Sequence, residues 1–495
     1  MVVAGGEDGA GPARLIAGFV LAPVVFAGLW VAPLDIPEPA HRLAAVLGAV
    51  VVLWVSEAIP MAMTAFLGVA AMVPLDIATP AEAFGPFADP LIFLFIGTFI
   101  LAQSIFFHGL DRRFAFAMLA LPGVRARPTR VLVVFAAVTC AISMWISNTA
   151  TVAMMLPIGL SLLAVLESHG EAKSRYGAAL LLATSFGASI GGLATPVGTP
   201  PNLIGIGFLR RATGVDVPFF SWMALGVPVT LVLIAFAVMG LLRDARGGQS
   251  PSSGRLGDAI RAERRALGPW TAGQRNTVIA FGLTVAFWVL PGVLALTRGG
   301  DDPAYRWLQS RFPEPVVALL GAGLLFVLPT DARRLEFTLP WREAVKIDWW
   351  IVFLYGGGIA LGTRAFETGL AEALGRGLTT ALGVHSGVGL IAASTLLATV
   401  LSETTSNTAS ANMVVPVVIA FARSAGIDPT LPVVATTMGA SLGFILPVST
   451  PCNAMVYGTG RVPLSSMMRH GILLDVAGIV TIVAVVTLLG PIVLG

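Results

Sequence analysis

The segment SNTATVAMMLPI at 147–158 returns as SNTASANMVVPV at 406–417, and this repeat decides the fold. A match of this length between two parts of one chain is too long for chance. The surroundings repeat as well, because FLFIGTFILAQSIFFHGL at 93–110 aligns with FLYGGGIALGTRAFETGL at 353–370 in the same order and at nearly the same offset. The chain is therefore predicted to contain two copies of one structural unit.

Two further motifs complete each copy of the unit. Downstream of the Ser-Asn-Thr segments, GASIGG at 187–192 recurs as GASLGF at 439–444, and PVGTPPN at 196–202 recurs as PVSTPCN at 447–453. Proline inside a helix removes a hydrogen-bond donor and clashes with the preceding turn, at a cost of about 3 kcal/mol. Proline fits well, however, in the first turn of a helix. We therefore predict two broken helices, 177–213 and 430–460, that restart at these prolines.

The composition excludes an ordinary soluble protein. Of 495 residues, 56% are hydrophobic and 12% are charged, and the mean hydropathy is +0.86, whereas soluble domains carry about 25% charged residues. Apolar runs of about 20 residues, enough to cross a hydrocarbon core of about 30 Å, recur along the chain. We predict eleven crossings, near 15–33, 42–59, 62–76, 90–108, 177–213, 222–242, 276–296, 314–330, 348–370, 430–460 and 471–494.

Two further apolar stretches, 130–166 and 384–423, are too long for one crossing and too short for two with an intervening loop. Each is interrupted by polar Ser-Asn-Thr, so both are predicted to be re-entrant hairpins whose tips end at membrane depth. The predicted fold is an all-α polytopic membrane protein with about eleven transmembrane helices, two re-entrant hairpins and a single domain over 1–495. Its first repeat covers about 42–242 and its second about 314–494.

The distribution of basic residues predicts the orientation in the membrane. A cytoplasmic N-terminus places 21 of the 30 Lys and Arg residues inside and nine outside, as the positive-inside rule favours. Eleven crossings then leave the C-terminus extracytoplasmic, and the polar stretch 243–275 becomes a cytoplasmic linker with a short surface helix. The two copies of the unit enter the membrane from opposite sides. Inverted repeats of this kind are typical of secondary transporters, whose ligand sites lie near the bilayer midplane.

The hairpin tips, 143–149 and 402–408, predict the chemistry of the site. Carbonyls at a helix C-terminus, Ser hydroxyls and Asn amide oxygens form an all-oxygen site that suits Na⁺, whereas amides at a helix N-terminus suit a carboxylate. Neither tip and neither Pro-containing loop has Lys, Arg or His. The charge of a bound dianion must then be balanced by cations and helix dipoles, which gives coupling a physical basis. The alternative, that these side chains only cap and join packed helices, is weaker because the arrangement occurs twice.

Four motifs in the same order, SMWISNTATVAMMLP, GTPPN, SETTSNTASANMVVP and LPVSTPCN, resemble the signatures of the divalent anion/sodium symporter family, of the bacterial sodium/dicarboxylate type. The resemblance covers essentially the whole chain. It implies a homodimer in the bacterial inner membrane, in which each protomer has a scaffold domain and a transport domain that moves as an elevator.

The resemblance implies ligand residues at the matching motif positions of this chain. One sodium ion is expected at Ser143, Ser147, Asn148 and Gly198, and the other at Ser402, Ser406, Asn407 and Ser449. Substrate carboxylates are expected at Asn148, Thr149, Asn407 and Thr408, with Thr199, Thr450 and Pro451 alongside. Two positions differ between the repeats, since Ser449 stands opposite Gly198 and Cys452 stands opposite Pro201. Both differences are expected to tune the shape of the second loop and the size of the accepted substrate.

The residues and the resemblance together predict sodium-coupled symport of C4-dicarboxylates such as succinate, malate or fumarate into the cell. A sodium-independent dicarboxylate exchanger and a sodium-coupled transporter of sulfate or tricarboxylates remain open. An intramembrane enzyme is disfavoured, because the helices carry no Ser-Lys, paired-Asp or H-E-x-x-H arrangement. No organic cofactor and no nucleic-acid partner are expected. Na⁺ is the expected coupling ion, and the chain is expected to be embedded in a lipid bilayer.

Three acidic residues in or near apolar segments are further candidates, since such residues are usually functional. Glu403, three residues before the second Ser-Asn-Thr, is expected to bond to the hairpin backbone rather than to bind an ion directly. Glu57 is expected at the membrane interface, and Asp475 falls in the last apolar segment. The five histidines fall at segment ends or in loops, so neither a metal site nor a proton relay is predicted.

Overall fold

The computed structural model describes residues 12–125, 127–167, 175–246, 253–382 and 386–494, and these are mostly helical. The helices of the first half are α1 (Pro12–Val31), α2 (Glu38–Ser56), α3 (Met61–Met72), α4 (Pro80–Phe84), α5 (Pro90–Phe107), α6 (Leu110–Leu119), α7 (Pro122–Arg125), α8 (Pro128–Ser143), α9 (Asn148–Glu167), α10 (Arg175–Gly191), α11 (Pro200–Thr213) and α12 (Phe219–Arg246). A 3₁₀ turn, Gly85–Ala88, joins α4 to α5.

The second half repeats this succession of helices with one small sheet. Its helices are α13 (Ser253–Ala266), α14 (Ala272–Arg298), α15 (Pro303–Arg311), α16 (Glu314–Val327), α17 (Trp341–Ala344), α18 (Trp349–Glu367), α19 (Leu370–Leu382), α20 (Gly387–Thr404), α21 (Asn407–Ser424), α22 (Thr430–Gly439), α23 (Pro451–Gly458) and α24 (Leu464–Val493). Between α16 and α17, β1 (Pro329–Asp331) pairs antiparallel with β2 (Glu336–Phe337), Pro329 opposite Phe337 and Asp331 opposite Glu336.

Eight of the described helices are long and apolar enough to cross a membrane, and a ninth span results if α15 and α16, bent by 63°, count as one. The chain is thus a multi-span membrane protein. A count by length misses interrupted crossings, since α10 and α11 have 17 and 14 residues and α22 and α23 have 10 and 8. At 1.5 Å per residue, each piece is shorter than a hydrocarbon core of about 30 Å. The finer count of eleven crossings stays a prediction.

A repeated Gly-Leu pair marks a sharp turn in both halves. Gly109 separates α5 from α6 with a φ of 61°, and Gly369 separates α18 from α19 with a φ of 83°. Glycine adopts this left-handed conformation at little cost, whereas other residues rarely do. The helices that follow, α6 and α19, were not expected from the sequence, because their charged residues interrupt any apolar run.

The two Ser-Asn-Thr tips lie in the helix pairs α8–α9 and α20–α21. In each pair the first helix packs against the first part of the broken helix of its own repeat, α8 on α10 and α20 on α22. The second helix packs against the restarted part from the other repeat, α9 on α23 and α21 on α11. The repeats are also joined directly, since Ser185 Oγ donates to Asn453 Oδ1 at 2.5 Å and the rings of Phe186 and Phe444 meet edge to face. Because each tip-bearing pair packs against helices of both repeats, both tips and both broken helices lie in one central region.

Other helices surround this centre. Along the sides, α5 packs on α16 and α18 packs on α3. On one end, α13 packs on α6 and α9 and buries Ile260 completely. The predicted linker 243–275 therefore contains a helix that is docked on the tip-bearing pair α8–α9 through α9. Residues 247–252 of that linker, residues 1–11, and 384 and 385 at the expected start of the second hairpin lie outside the described residues.

Candidate functional site

The first tip is a break between two helix ends. Helix α8 ends at Ser143 and α9 begins at Asn148. Ser143 Oγ donates to Asn148 Oδ1 at 2.8 Å, so the side chains at the two helix ends are joined directly. Ser147 Oγ caps α9 by accepting from the backbone N–H of Ala150 at 3.4 Å. A helix C-terminus and a helix N-terminus thus meet around one amide side chain, which places both ends of the helix dipoles at the tip.

The first loop, residues 192–199, touches this tip. Gly192 lies against the Asn148 amide so closely that a Cβ there would be 3.0 Å from Nδ2 and 3.1 Å from Cγ. A Cβ on Gly198 would in turn be 2.6 Å from the carbonyl oxygen of Gly192. Thr195 Oγ1 donates to the carbonyl of Met144. The hydroxyl of Thr195 therefore holds the loop on the tip, and the lack of a side chain at Gly192 and Gly198 allows the close approach.

We expect Gly192→Ala to reduce the sodium-driven dicarboxylate uptake predicted from the sequence by about tenfold, because an added methyl in a filled site costs roughly 1–3 kcal/mol. The new Cβ would push the Asn148 amide away from Ser143. Gly282→Ala on α14 is the matched control, since a Cβ at Gly282 meets no atom within 4 Å. Full activity of the Gly192→Ala protein would mean that the position of the Asn148 amide is not critical.

Two asparagines that the sequence analysis left unassigned clamp the loops. Asn202 Nδ2 donates to the carbonyls of Gly192 and Thr195, both at 2.8 Å. In the second half, Asn453 Nδ2 donates to the carbonyls of Gly443 and Leu446, both at 3.0 Å. The two clamps match residue by residue, each reaching ten and seven positions back. The last letter of the repeated motifs PVGTPPN and PVSTPCN was the signal that could have identified them.

The second tip has the same construction. Helix α20 ends at Thr404 and α21 begins at Asn407, with Ser406 Oγ accepting from the backbone N–H of Ala409 at 3.2 Å. Ser402 Oγ lies 2.7 Å from Asn407 Oδ1 and 2.8 Å from the carbonyl oxygen of Ala440. The Asn407 amide also approaches the second loop, residues 440–450, by donating to the carbonyl of Ser441 at 3.4 Å. Ser402 and Asn407 thus repeat the arrangement of Ser143 and Asn148.

Glu403 distinguishes the second tip from the first. Its carboxylate is buried and accepts from the backbone N–H of Ile445 at 2.9 Å, from that of Leu446 at 3.3 Å and from Ser449 Oγ at 2.5 Å. The expected partners in the hairpin backbone were wrong, since these donors belong to the second loop. Asp475 on α24 is buried beside the same carboxylate. The Ser449 hydroxyl points to Glu403 and its backbone N–H donates to the carbonyl of Leu446, which leaves the Ser449 carbonyl for any ligand at the tip.

The remaining candidates differ between the halves. Thr149 is exposed, whereas Thr408 is buried, and the loop residues Thr199 and Thr450 are buried as well. Thr450 Oγ1 caps α23 by accepting from the backbone N–H of Asn453 at 3.1 Å, and Pro451 occupies the first turn of that helix. Among the candidate residues, hydrogen bonds join Ser143 to Asn148 in one half and Ser402 to Asn407 in the other. The packing of α9 on α23 and of α21 on α11 brings the two sets towards each other.

The tips and loops offer hydroxyls, amides and backbone groups, and their sequences contain no Lys, Arg or His. Glu403 is the acidic residue of this region, and its hydrogen bonds hold the second loop. Glu57 belongs to neither tip but lies 3.7 Å from Arg14, whose Nη2 also donates to the carbonyl of Thr404 in the second tip at 3.3 Å. Such a region can bind cations through oxygen atoms and anions through N–H and O–H groups, but it has no cationic side chain of its own.

A model of the family described as the sodium:sulfate symporter transmembrane region matches residues 13–495. The chain belongs to this family. The resemblance read from the four motifs is therefore confirmed, and the chain is a membrane transporter and not an enzyme. Curated relatives include the sodium-dependent dicarboxylate transporter SdcS of Staphylococcus saprophyticus, 32% identical over 89% of this chain and 84% of the relative. SdcS of Staphylococcus aureus strain USA300 is 30% identical over 97% of this chain and 92% of the relative.

A solved structure supports the fold of this family member. The crystal structure of the YdaH transporter from Alcanivorax borkumensis matches with a TM-score of 0.56, covering 97% of this chain and 99% of that one. The two chains are 14% identical. At this identity the likeness concerns the arrangement of the helices, and the ligands have to be argued from the site.

Proposed function

We propose that this transporter is a sodium-coupled symporter that carries C4-dicarboxylates such as succinate, malate and fumarate into the cell. The observation that carries the proposal is that both tips provide oxygen ligands and helix ends but no Lys, Arg or His of their own. The charge of Arg14, which reaches the carbonyl of Thr404 in the second tip, is paired with Glu57. A dicarboxylate brings two negative charges into a buried site, where an unbalanced charge is costly. Bound sodium ions supply the missing positive charge, so substrate binding depends on them. The names of the two staphylococcal relatives agree with this substrate class.

The sodium ions are assigned to the two tips. The first is coordinated by Ser143, Ser147, Asn148 and Gly198, and the second by Ser402, Ser406, Asn407 and Ser449. In support, Ser143 and Asn148 are hydrogen-bonded to each other, as are Ser402 and Asn407, so each pair presents its oxygens at one point. Hard cations such as Na⁺ are bound by hydroxyl and carbonyl oxygens at the C-terminal ends of broken helices in other transporters. Ser449 contributes its carbonyl, because its hydroxyl is engaged by Glu403.

The carboxylates of the substrate are assigned to the N-terminal ends of the restarting helices. Asn148 and Thr149 bind one carboxylate, and Asn407 and Thr408 bind the other, with Thr199, Thr450 and Pro451 lining the space between them. Helix N-termini favour anions through their free N–H groups. In support, α9 begins at Asn148 and α21 at Asn407.

The proposal includes the movement and assembly of the protein. A transport domain that holds the tips and broken helices moves as an elevator against a scaffold domain, and two protomers form a homodimer. The N-terminus is cytoplasmic and the C-terminus is extracytoplasmic in the bacterial inner membrane. The packing of α5 on α16 and of α18 on α3, beside the central region, supports a division into two such domains.

Uptake of radiolabelled succinate into proteoliposomes tests the proposal. We expect accumulation with an inward sodium gradient and none when potassium or choline replaces sodium. Uptake that ignores sodium but depends on internal dicarboxylate would establish the exchanger instead. The description of the family favours one more alternative, a sodium-coupled sulfate carrier. Sodium-driven uptake of radiolabelled sulfate or citrate, without any transport of succinate, would establish that alternative or a tricarboxylate substrate.

A further inference from the structure

A buried carboxylate lies far from the tips, at the start of α5. Asp89 is 3% exposed and caps α5 by accepting from the backbone N–H of Leu91 at 2.9 Å. Arg210 Nη2 donates to its Oδ1 at 2.7 Å, and Arg211 donates to its Oδ2 through Nη2 at 2.9 Å and Nε at 3.2 Å. Tyr355 Oη is 3.4 Å from Oδ1. Each carboxylate oxygen therefore has its own guanidinium.

The two arginines belong to the half-helix that begins at the site. Helix α11 starts at Pro200, directly after the first loop, and carries Arg210 and Arg211 in its last turn. With 14 residues, it spans about 20 Å at 1.5 Å per residue. One end of α11 thus belongs to the proposed substrate site, and the other end is fastened to Asp89. Any movement of the site relative to α5 has to separate these charges.

The partners of the arginines belong to other helices. Asp89 begins α5, which packs on α16, and Tyr355 lies on α18, which packs on α3. The side chains of Arg210 and Arg211 are 25% and 29% exposed, whereas Asp89 is buried. The cluster therefore lies at the edge of the interface between α11 and these helices, where water can reach the arginines once they separate from Asp89.

Glycines also lie in this interface, where α18 meets α11 and α21. The ring of Phe208 covers Gly362, where a Cβ would be 3.1 Å from Cδ1. The Asn412 side chain covers Gly358, where a Cβ would be 2.9 Å from Cγ. Such contacts bring helices close together without interlocking side chains, as in membrane helix pairs with small residues. The ion cluster therefore holds this interface together with one cation–π contact, in which Arg423 of α21 lies 5.4 Å from the ring centroid of Phe366 on α18.

We propose that Asp89, Arg210 and Arg211 form a latch that holds α11 and α21 against α5 and α18 in this conformation and opens in every transport cycle. The inference rests on the proposed elevator movement, because the latch matters only if the two groups of helices separate or slide. A buried carboxylate stripped of its partners is strongly unfavourable. The latch opens when the arginines and Asp89 become hydrated, and it closes again when the interface re-forms.

A disulfide across the same interface reports the closed conformation. The double variant carries Gly358→Cys and Asn412→Cys, and the second substitution removes the amide group that a Cβ at position 358 would otherwise meet. Since the Asn412 Cγ is 2.9 Å from a Cβ built on Gly358, the two Cβ atoms are within about 4.5 Å, a separation that a disulfide tolerates. The parent protein is the blank, because its Cys140 and Cys452 are both buried. Cross-linking requires neither sodium nor a dicarboxylate.

We expect Asp89→Asn, added to this cysteine pair, to lower the initial rate of cross-linking at least about fivefold, because the buried ion pairs that favour the closed interface are lost. Arg211→Gln is expected to act in the same direction and serves as the second variant if Asp89→Asn folds poorly. Asp89→Glu should recover part of the rate. Asp216→Asn is the matched control, since this carboxylate is 3.9 Å from Arg210 Nε but 71% exposed, and its rate should be unchanged.

Two outcomes would overturn the latch. One is an unchanged cross-linking rate in both Asp89→Asn and Arg211→Gln, and the other is full succinate uptake by the disulfide-linked protein. We expect instead that oxidation stops uptake and that reduction restores it. Failure of the latch with intact sodium-driven uptake would leave the proposed function standing. Altered cross-linking rates in a protein that ignores sodium would leave the latch standing and contradict the proposed coupling.

Discussion

Asn148→Ala and Asn407→Ala are each expected to lower sodium-driven succinate uptake on the order of 100-fold. Each amide is proposed to serve a sodium ion through its oxygen and a substrate carboxylate through its N–H groups. Hydrogen bonds to charged groups contribute about 1.5–3 kcal/mol each, so the loss of both amounts to about 3 kcal/mol. The effect should be similar in size for the two tips, because Ser143–Asn148 and Ser402–Asn407 are joined by hydrogen bonds of 2.8 Å and 2.7 Å.

The control for these variants is Asn276→Ala. Asn276 donates through Nδ2 to the carbonyl of Pro329 and to Thr338 Oγ1, beside the small sheet and away from both tips. Its loss should leave uptake within about threefold of the parent, because these two hydrogen bonds involve no residue of either tip or loop. A tip variant with parental uptake would remove that tip from the site, and inactivity of all three variants would point to folding instead.

Glu403→Ala is expected to lower the free energy of unfolding in detergent by about 3 kcal/mol, because two buried donors lose their acceptor at roughly 1–3 kcal/mol each. These donors are the N–H groups of Ile445 and Leu446, whereas the hydroxyl of Ser449 keeps the backbone carbonyl of Glu403 as an acceptor at 3.1 Å. Release of the second loop should also raise the sodium concentration needed for half-maximal uptake. Thermal denaturation and a sodium titration of uptake measure the two effects.

The equivalent residue of the first half provides the comparison for Glu403. Met144 occupies the matching position, but its backbone carbonyl, rather than its side chain, accepts from Thr195 Oγ1. Met144→Ala therefore removes packing and keeps the contact between tip and loop. Its sodium titration should match that of the parent. If both variants shifted the titration equally, the carboxylate of Glu403 would have no special role at the second loop.

The breaks in the helices could be predicted from the sequence because their causes are local. Proline stops and restarts helices by its own ring, and α11 and α23 begin at Pro200 and Pro451. Polar residues within an apolar run are unfavourable in contact with lipid, so Ser143, Asn148 and their repeats were predicted as site residues. Each of these features also occurs in both copies of the internal repeat, which supports each prediction a second time. For these reasons the candidate residues around both tips could be predicted from the sequence alone.

The remaining features depend on contacts between distant parts of the chain. Glu403 meets donors more than forty residues away, and Asp89 meets arginines more than one hundred and twenty residues away. The sequence shows that a carboxylate in an apolar segment needs partners, but it does not show which residues these partners are. The same limit applies to α6 and α19, since charged amphipathic helices beside a membrane do not differ from loops in hydropathy.

Binding of succinate to the purified protein in sodium and in potassium tests the coupled site most directly. The account predicts binding in sodium only, with succinate raising the affinity for sodium by the same factor by which sodium raises the affinity for succinate. Asn148→Ala and Asn407→Ala should both abolish this mutual effect. Equal succinate affinity in potassium and sodium would contradict the central claim that cations at the two tips supply the charge that the dicarboxylate requires.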